Sequence, residues 1–294
     1  MIAITFLLFF GVVASPSLLV AQAHPGFENL NLSSKDEAEL FFAKGHYKKS
    51  LEKFKEVLES EGETSYVFRT MLKAWKALDG LADAEEFLLN YKMSHNESSH
   101  TWYAWGFLNY LKNNFPQAEK DFDRALKLNP ENGLAWNNWG AILSEKKQYS
   151  AAVKKVKMAI EANPNEPIFL WNLQKIYQEM GEPQRFKIEY ENLLAQGSKK
   201  LVWAYGKTLV RTIRQRAFSS YSKGDLENAV SGFEEMLKIY REMGDIKGQV
   251  PALFSLGLLY EEKGDAPKAQ NFFEKVLAIN PDHIQAKEKI KDVN

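Results

Sequence analysis

The feature that most constrains this chain is a spacing of large and small side chains that recurs every 34 residues. A Trp, a Gly, an aromatic residue, an Ala and a Pro keep the same places in two successive segments: Trp102, Gly106, Phe115, Ala118 and Pro130, then Trp136, Gly140, Tyr149, Ala152 and Pro164. The phase is unbroken through five copies in residues 31–200, and two further copies occupy residues 210–283. A fixed period of this length predicts an array of one supersecondary unit.

Each copy has the pattern of a pair of helices. Apolar residues follow the i, i+3, i+4 spacing of amphipathic helices. The pattern breaks near Gly181, Gly224 and Gly264, where a left-handed residue would end the first helix. Small residues such as Gly106 and Gly257 predict that the two helices of a pair approach closely. One pair cannot cover its own apolar face, so the copies are expected to stack into an all-α fold.

The last copy identifies a family. Its segment LFSLGLLYEEKGDAPKAQNFFEKVLAINP resembles the pattern W-x2-L-G-x2-Y, A-x3-F and P of the tetratricopeptide repeat (TPR) family. The resemblance covers residues 31–283, and the first, second and fifth copies are degenerate. It implies a right-handed α-solenoid of about seven helix-turn-helix repeats. The short, charged residues 284–294 are predicted to form a C-terminal capping helix.

Nine extra residues, 201–209, separate the fifth copy from the sixth. They contain no Pro, so we predict a helical insertion that continues into the sixth copy as one long helix. Ser198 to Leu209 is therefore the best candidate for an internal boundary. A continuous array is nevertheless preferred to two separate domains.

The N-terminal residues 1–23 predict an export signal, followed by a linker at residues 24–30. An apolar run is followed by the cleavage pattern Ala21-Gln22-Ala23, with residues 12–14 as a weaker second site. No Lys or Arg precedes the run, and residues 2–20 are nearly long enough to span a bilayer. The chain is thus expected to be exported, periplasmic or secreted. The alternatives are an uncleaved membrane anchor and, less favoured, a structural helix.

Composition argues against several functions. The chain has 38 basic and 38 acidic residues, whereas a nucleic-acid-binding protein usually has a basic excess. It has no Cys and no HExxH, GxSxG or phosphate-binding Gly-Lys motif. His95 and His100 are wrongly spaced for a metal pair on one helical face. We therefore expect that the chain is not an enzyme and that it binds no cofactor, metal, nucleic acid or small-molecule substrate.

The TPR resemblance implies that the first helices of the repeats line a concave groove that holds a partner. There, aromatic rings would form a pocket, amides would bond a peptide backbone, and cations would lie beside them. The expected groove residues are Tyr103, Phe107, Tyr110, Trp171, Asn137, Asn138, Asn172, Lys175, Arg69 and Lys73. The alternative is that the aromatic residues pack between repeats.

These observations favour a non-enzymatic protein–protein interaction scaffold in the cell envelope or secretory space. It would bind a partner peptide or helix in the groove, and would meet a membrane only if the N-terminal segment is uncleaved. A membrane-anchored TPR assembly factor and an accessory subunit of an enzyme complex are the alternatives.

Overall fold

A computed structural model of the chain describes residues 32–95 and 97–293. In those residues the backbone forms fifteen α-helices and no strand, which confirms the predicted all-α class. The expected signal or anchor, its alternative cleavage sites and the linker at residues 24–30 lie outside the described residues. No helix within the described part has both the length and the hydropathy needed to cross a bilayer.

The chain divides into two compact units, Met1–Asn163 and Pro164–Asn294. The described helices of unit 1 are α1 (Ser34–Ala43), α2 (Tyr47–Ser60), α3 (Ser65–Ala77), α4 (Leu81–Ser94), α5 (Ser99–Leu111), α6 (Phe115–Leu128), α7 (Gly133–Glu145) and α8 (Tyr149–Ala162). Those of unit 2 are α9 (Pro167–Glu179), α10 (Arg185–Ala195), α11 (Lys199–Ser222), α12 (Leu226–Glu242), α13 (Ile246–Glu262), α14 (Ala266–Ile279) and α15 (Ile284–Val293). Four predicted copies lie in unit 1 and three in unit 2, followed by a terminal helix at the expected place.

The division between the units does not fall at the sequence-based candidate, Ser198 to Leu209. It lies between Asn163 and Pro164, where one proline ends α8 and a second, Pro167, begins α9. The 24-residue helix α11 runs without interruption through the insertion, as the sequence predicted. The insertion therefore lengthens a helix inside unit 2.

The turn inside each copy uses one left-handed residue. Gly181, Gly224 and Gly264 have φ of 77°, 77° and 76°, which confirms the sequence prediction for these copies. In unit 1 the same place is held by Gly45 and by three residues that are not glycine, namely Asp79, Asn113 and Lys147, with φ between 58° and 60°. The next residue closes the turn; for example, the His46 N–H donates to the Phe41 carbonyl at 2.8 Å.

Within a copy, a missing Cβ atom allows the two helices to touch. A Cβ built on Gly106 would lie 2.6 Å from the Phe122 ring, and one on Gly257 would lie 2.5 Å from the Phe273 ring. Gly140 has the same relation to Val156, at 2.6 Å. Phe122 and Phe273 are fully buried, so the ring fills the space that the glycine leaves. This confirms the close approach predicted from the small residues.

Replacing Gly106 with alanine tests this contact. We expect Gly106→Ala to lower the free energy of unfolding by about 1–3 kcal/mol, because the added methyl overpacks the Phe122 ring. The double variant Gly106→Ala/Phe122→Leu should lose less than the sum of the two single changes, since the smaller side chain makes room. Urea unfolding of the four proteins measures both effects. A more stable Gly106→Ala variant would mean that helix propensity outweighs the contact.

Candidate functional site

Polar side chains join the starts of three successive first helices in unit 1. The Asn132 amide, just before α7, donates to Ser65 Oγ at the start of α3 and to Ser99 Oγ at the start of α5, each at 2.9 Å. His100 Nδ1 accepts the Ser65 backbone N–H at 3.2 Å and lies 2.9 Å from Ser65 Oγ. Asn132, Ser65 and Ser99 are buried. The network therefore fixes the register of the first helices.

Four of the predicted groove residues are buried in unit 1: Tyr103, Phe107, Asn137 and Asn138, with exposed fractions of 0%, 4%, 1% and 6%. The Tyr103 and Phe107 rings stack at 5.9 Å. The Asn138 amide donates to Tyr103 Oη at 3.0 Å, and the Asn137 amide donates to Asn138 Oδ1 at 3.1 Å. These contacts favour the alternative, packing between repeats. A partner cannot reach Tyr103 in this conformation.

Three other predicted groove residues remain accessible in unit 1: Arg69, Lys73 and Tyr110 are all half-buried. We call them the unit 1 first-helix face. Tyr110 Oη donates to Glu145 at 2.9 Å, and burial, followed by this hydrogen bond, raises the pKa of Tyr110 to about 12. Arg69 Nε is buried and has no hydrogen-bond partner among the described residues. Nε is therefore covered by the protein, and only the rest of the Arg69 side chain can meet a partner.

The remaining predicted residues lie in unit 2, on α9. Trp171 and Asn172 are half-buried, and Lys175 is exposed with Nζ 3.5 Å from Glu179 Oε1. The Trp171 ring lies 4.2 Å below the Arg211 guanidinium of α11. The sequence analysis did not include Arg211 among the groove residues. The 34-residue period resumes at residue 210, so Arg211 is at the second position of the sixth copy. Assigning the groove positions in the sixth copy, which follows the insertion, would have identified Arg211.

The two histidines considered as a metal pair have separate roles. The His95 ring stacks on Tyr91 at 3.9 Å, and His95 Nδ1 lies 3.0 Å from the Tyr91 carbonyl oxygen. His100 is half-buried beside Ser65. Within residues 32–95 and 97–293, no group of three or more His, Asp or Glu side chains is arranged to hold a metal ion.

Comparison with known proteins gives a family match in both units. The tetratricopeptide repeat model matches residues 99–132 and residues 250–283, which are the third and seventh copies. These two segments are therefore tetratricopeptide repeats, as the sequence pattern predicted. No curated protein sequence matches the chain.

Solved structures match the chain at low identity and low TM-score. The C-terminal part of a TPR repeat-containing protein from Cytophaga hutchinsonii is 15% identical, with a TM-score of 0.39, over 86% of this chain and 98% of that one. YrrB, described as a TPR protein with an unusual peptide-binding site, is 18% identical, with a TM-score of 0.34, over 69% and 97%. A human IFIT1 dimer with m7Gppp-AAAA is 16% identical, with a TM-score of 0.46, over 85% and 64%. At these values the similarity does not extend to ligand or partner.

The His100 contact predicts a pH dependence of stability. Burial lowers the pKa of His100 below its ordinary 6.5, and the nearby Glu63 carboxylate only partly opposes this effect. The unfolded chain therefore binds the proton more readily than the folded chain, so the free energy of unfolding falls as the pH falls through the unfolded pKa. We expect His100→Asn, whose amide oxygen can replace Nδ1 as acceptor, to reduce this loss. Urea unfolding at about pH 7.5 and about pH 5.5 measures it.

The informative quantity is the difference in pH dependence between the two proteins, because other ionisable groups contribute to the stability of both. Burial raises the pKa of Asp121, for example, and this change acts in the opposite direction. Asp121 is present in both proteins and cancels in the comparison. Equal pH dependence of the wild type and His100→Asn would contradict the proposed role of the imidazole.

Proposed function

We propose that this chain is a non-enzymatic scaffold that binds a peptide or helix of a partner protein along the first helices of its repeats. The tetratricopeptide repeats themselves indicate protein–protein interaction. The mode of binding and the residues named below are our proposal. The alternatives are a membrane-anchored assembly factor with the same binding surface and an accessory subunit of an enzyme complex.

The observation that carries the proposal is the state of Arg69. Arg69 is half-buried, so part of its side chain remains at the surface, and a guanidinium group offers several N–H donors to an oxygen acceptor of a bound chain. Lys73, one helical turn further along α3, belongs to the same face. Tyr110 adds an amphipathic ring from α5, a residue type that contributes strongly to protein interfaces. Together they supply donors and apolar area for a polypeptide.

The buried residues set a limit on where the partner contacts the protein. Tyr103, Phe107, Asn137 and Asn138 are assigned to the packing of unit 1, so we do not include them in the binding surface. Substituting them would change stability and binding together. The accessible residues of the first-helix face are the appropriate targets.

Charge reversal on the first-helix face tests the proposal. We expect Arg69→Glu/Lys73→Glu to reduce capture of the partner from the native host by about tenfold or more, because two donors become acceptors. The matched control is Lys48→Glu/Lys154→Glu, which makes the same charge change at exposed positions of second helices α2 and α8. Quantitative mass spectrometry of captured proteins gives the readout. Equal recovery by both double variants would exclude this face.

The proposal also includes export. Residues 1–23 have the pattern of a signal peptide, and the envelope or secretory space is the proposed location, with a retained membrane anchor as the alternative. We expect the intact mass of the protein recovered from its host to lack residues 1–23, leaving His24 as the first residue. A recovered mass that includes them would support the anchored form.

A further inference from the structure

The longest helix of unit 2 carries charge of one sign. Helix α11 contains six basic residues and no acidic residue: Lys199, Lys200, Lys207, Arg211, Arg214 and Arg216. Neighbouring helices neutralise two of them. Lys207 Nζ lies 2.6 Å from Asp245, and Arg216 lies 2.6 Å from Glu235. The positive charge that remains is concentrated in the rest of the helix.

Besides Lys199 and Lys200 at the start of α11, the uncompensated basic residues of this helix are Arg211 and Arg214. They stand three residues apart, which places them side by side on one helical face. Neither forms an ion pair with any residue that the structure describes in this unit, and Arg214 is exposed. Burial, followed by the charge of Arg214, lowers the pKa of Arg211. An external anion would relieve the repulsion between the two guanidinium groups.

Trp171 holds one of these arginines in position. The indole ring lies 4.2 Å from the Arg211 guanidinium, in cation–π contact. A guanidinium group in contact with an aromatic ring can still donate N–H hydrogen bonds to a carboxylate. Beside it, Gln174 and Thr212 are hydrogen-bonded to each other at 3.2 Å, which joins α9 and α11 at this point. The donor is therefore fixed by its neighbours before any ligand binds.

The two arginines belong to a first helix of unit 2, the type of helix along which the proposed function places the partner. In the 34-residue phase resumed at residue 210, Arg211 and Arg214 occupy the second and fifth positions of a first helix. The preceding first helix contributes Trp171 and the exposed Lys175. The acidic group nearby, Glu179, is paired with Lys175 at 3.5 Å. The face thus presents two arginines without an opposing carboxylate.

We propose that Arg211 and Arg214 bind an acidic segment of the partner protein, with Asp or Glu carboxylates accepting hydrogen bonds from the two guanidinium groups. This inference rests on the proposed function, since it names the chemistry of the segment that the scaffold binds. It does not follow from the overall charge, which is zero. It follows from a local excess that the fold leaves unpaired.

A single-stranded nucleic acid fits this face less well. Such ligands need bases stacked on open aromatic rings and a row of cations along the phosphates. The Trp171 ring is covered by Arg211, and Lys207 and Arg216 are already paired with acids. Two adjacent guanidinium groups match one or two carboxylates better than a continuous phosphate backbone.

The test is a selection from a library of random twelve-residue peptides, followed by affinity measurement with synthetic peptides on the full chain. We expect the wild type to select sequences rich in Asp and Glu. Arg211→Glu/Arg214→Glu should bind them at least about tenfold more weakly, because charged hydrogen bonds are lost. Arg211→Gln/Arg214→Gln, which keeps side-chain length without reversing charge, should also weaken binding. The matched control, Lys199→Glu/Lys200→Glu, makes the same charge change on exposed residues of α11 and should leave affinity unchanged.

Rescue separates a binding defect from a folding defect. Peptides with Lys in place of Asp and Glu should bind Arg211→Glu/Arg214→Glu more tightly than they bind the wild type. Peptides that bind the wild type and the reversed variant equally would overturn this inference, while peptide binding by the scaffold would stand. Failure to select any peptide would overturn the inference and contradict the proposed peptide-binding function as well. A twelve-nucleotide uridine oligomer that displaces the acidic peptide and requires the same arginines would also overturn it.

Discussion

The third, fourth and seventh repeats depend on one contact, a glycine of the first helix against a large side chain of the second. Gly106 faces Phe122, Gly140 faces Val156 and Gly257 faces Phe273, each at a distance that leaves no room for a Cβ atom. Because this contact holds the two helices of a pair together on one side, the other side of the first helix is left to face neighbouring repeats or a partner. The same small residue therefore determines both the packing of the pair and the position of the candidate binding surface.

Much of the fold could be predicted because the period is a property of packing geometry. A glycine at the turn was sufficient to locate it in unit 2, as at Gly224. In unit 1 the period places the turn at Asp79, Asn113 and Lys147, and residue type alone would not have done so. Aspartate and asparagine adopt the left-handed conformation at modest cost, whereas Lys147 is held there by its neighbours. The division at Asn163 and Pro164 was not predicted, because it depends on how closely the helices within each unit pack, which residue spacing does not show.

The candidate site was less predictable. The position of a residue in a repeat predicts which side of the helix it lies on, but not how deeply its side chain is buried. Tyr103 and Trp171 occupy the same position of their copies, yet Tyr103 is fully buried and Trp171 is half-buried. The difference comes from the next first helix. Asn138 of α7 donates a hydrogen bond to Tyr103 Oη, whereas Arg211 of α11 lies 4.2 Å from the Trp171 ring and leaves that ring half-buried. A single sequence does not show which side chain of the following repeat will cover a given ring.

The distribution of charge accounts for how a chain without net charge could bind the acidic segment that we propose. Basic residues of one repeat often form ion pairs with acidic residues of the repeat before it. Lys112 pairs with Glu85, and the equivalent Lys146 of the next repeat pairs with Glu119. Such pairs cancel the electric field of the surface and give no long-range attraction to polyanions. Where most charges are paired in this way, an unpaired guanidinium group produces a local positive potential. Its influence extends only about one Debye length in physiological salt, so it acts on a segment already docked beside it. Recognition then depends on where the partner's carboxylates stand along its sequence, and not on its total charge.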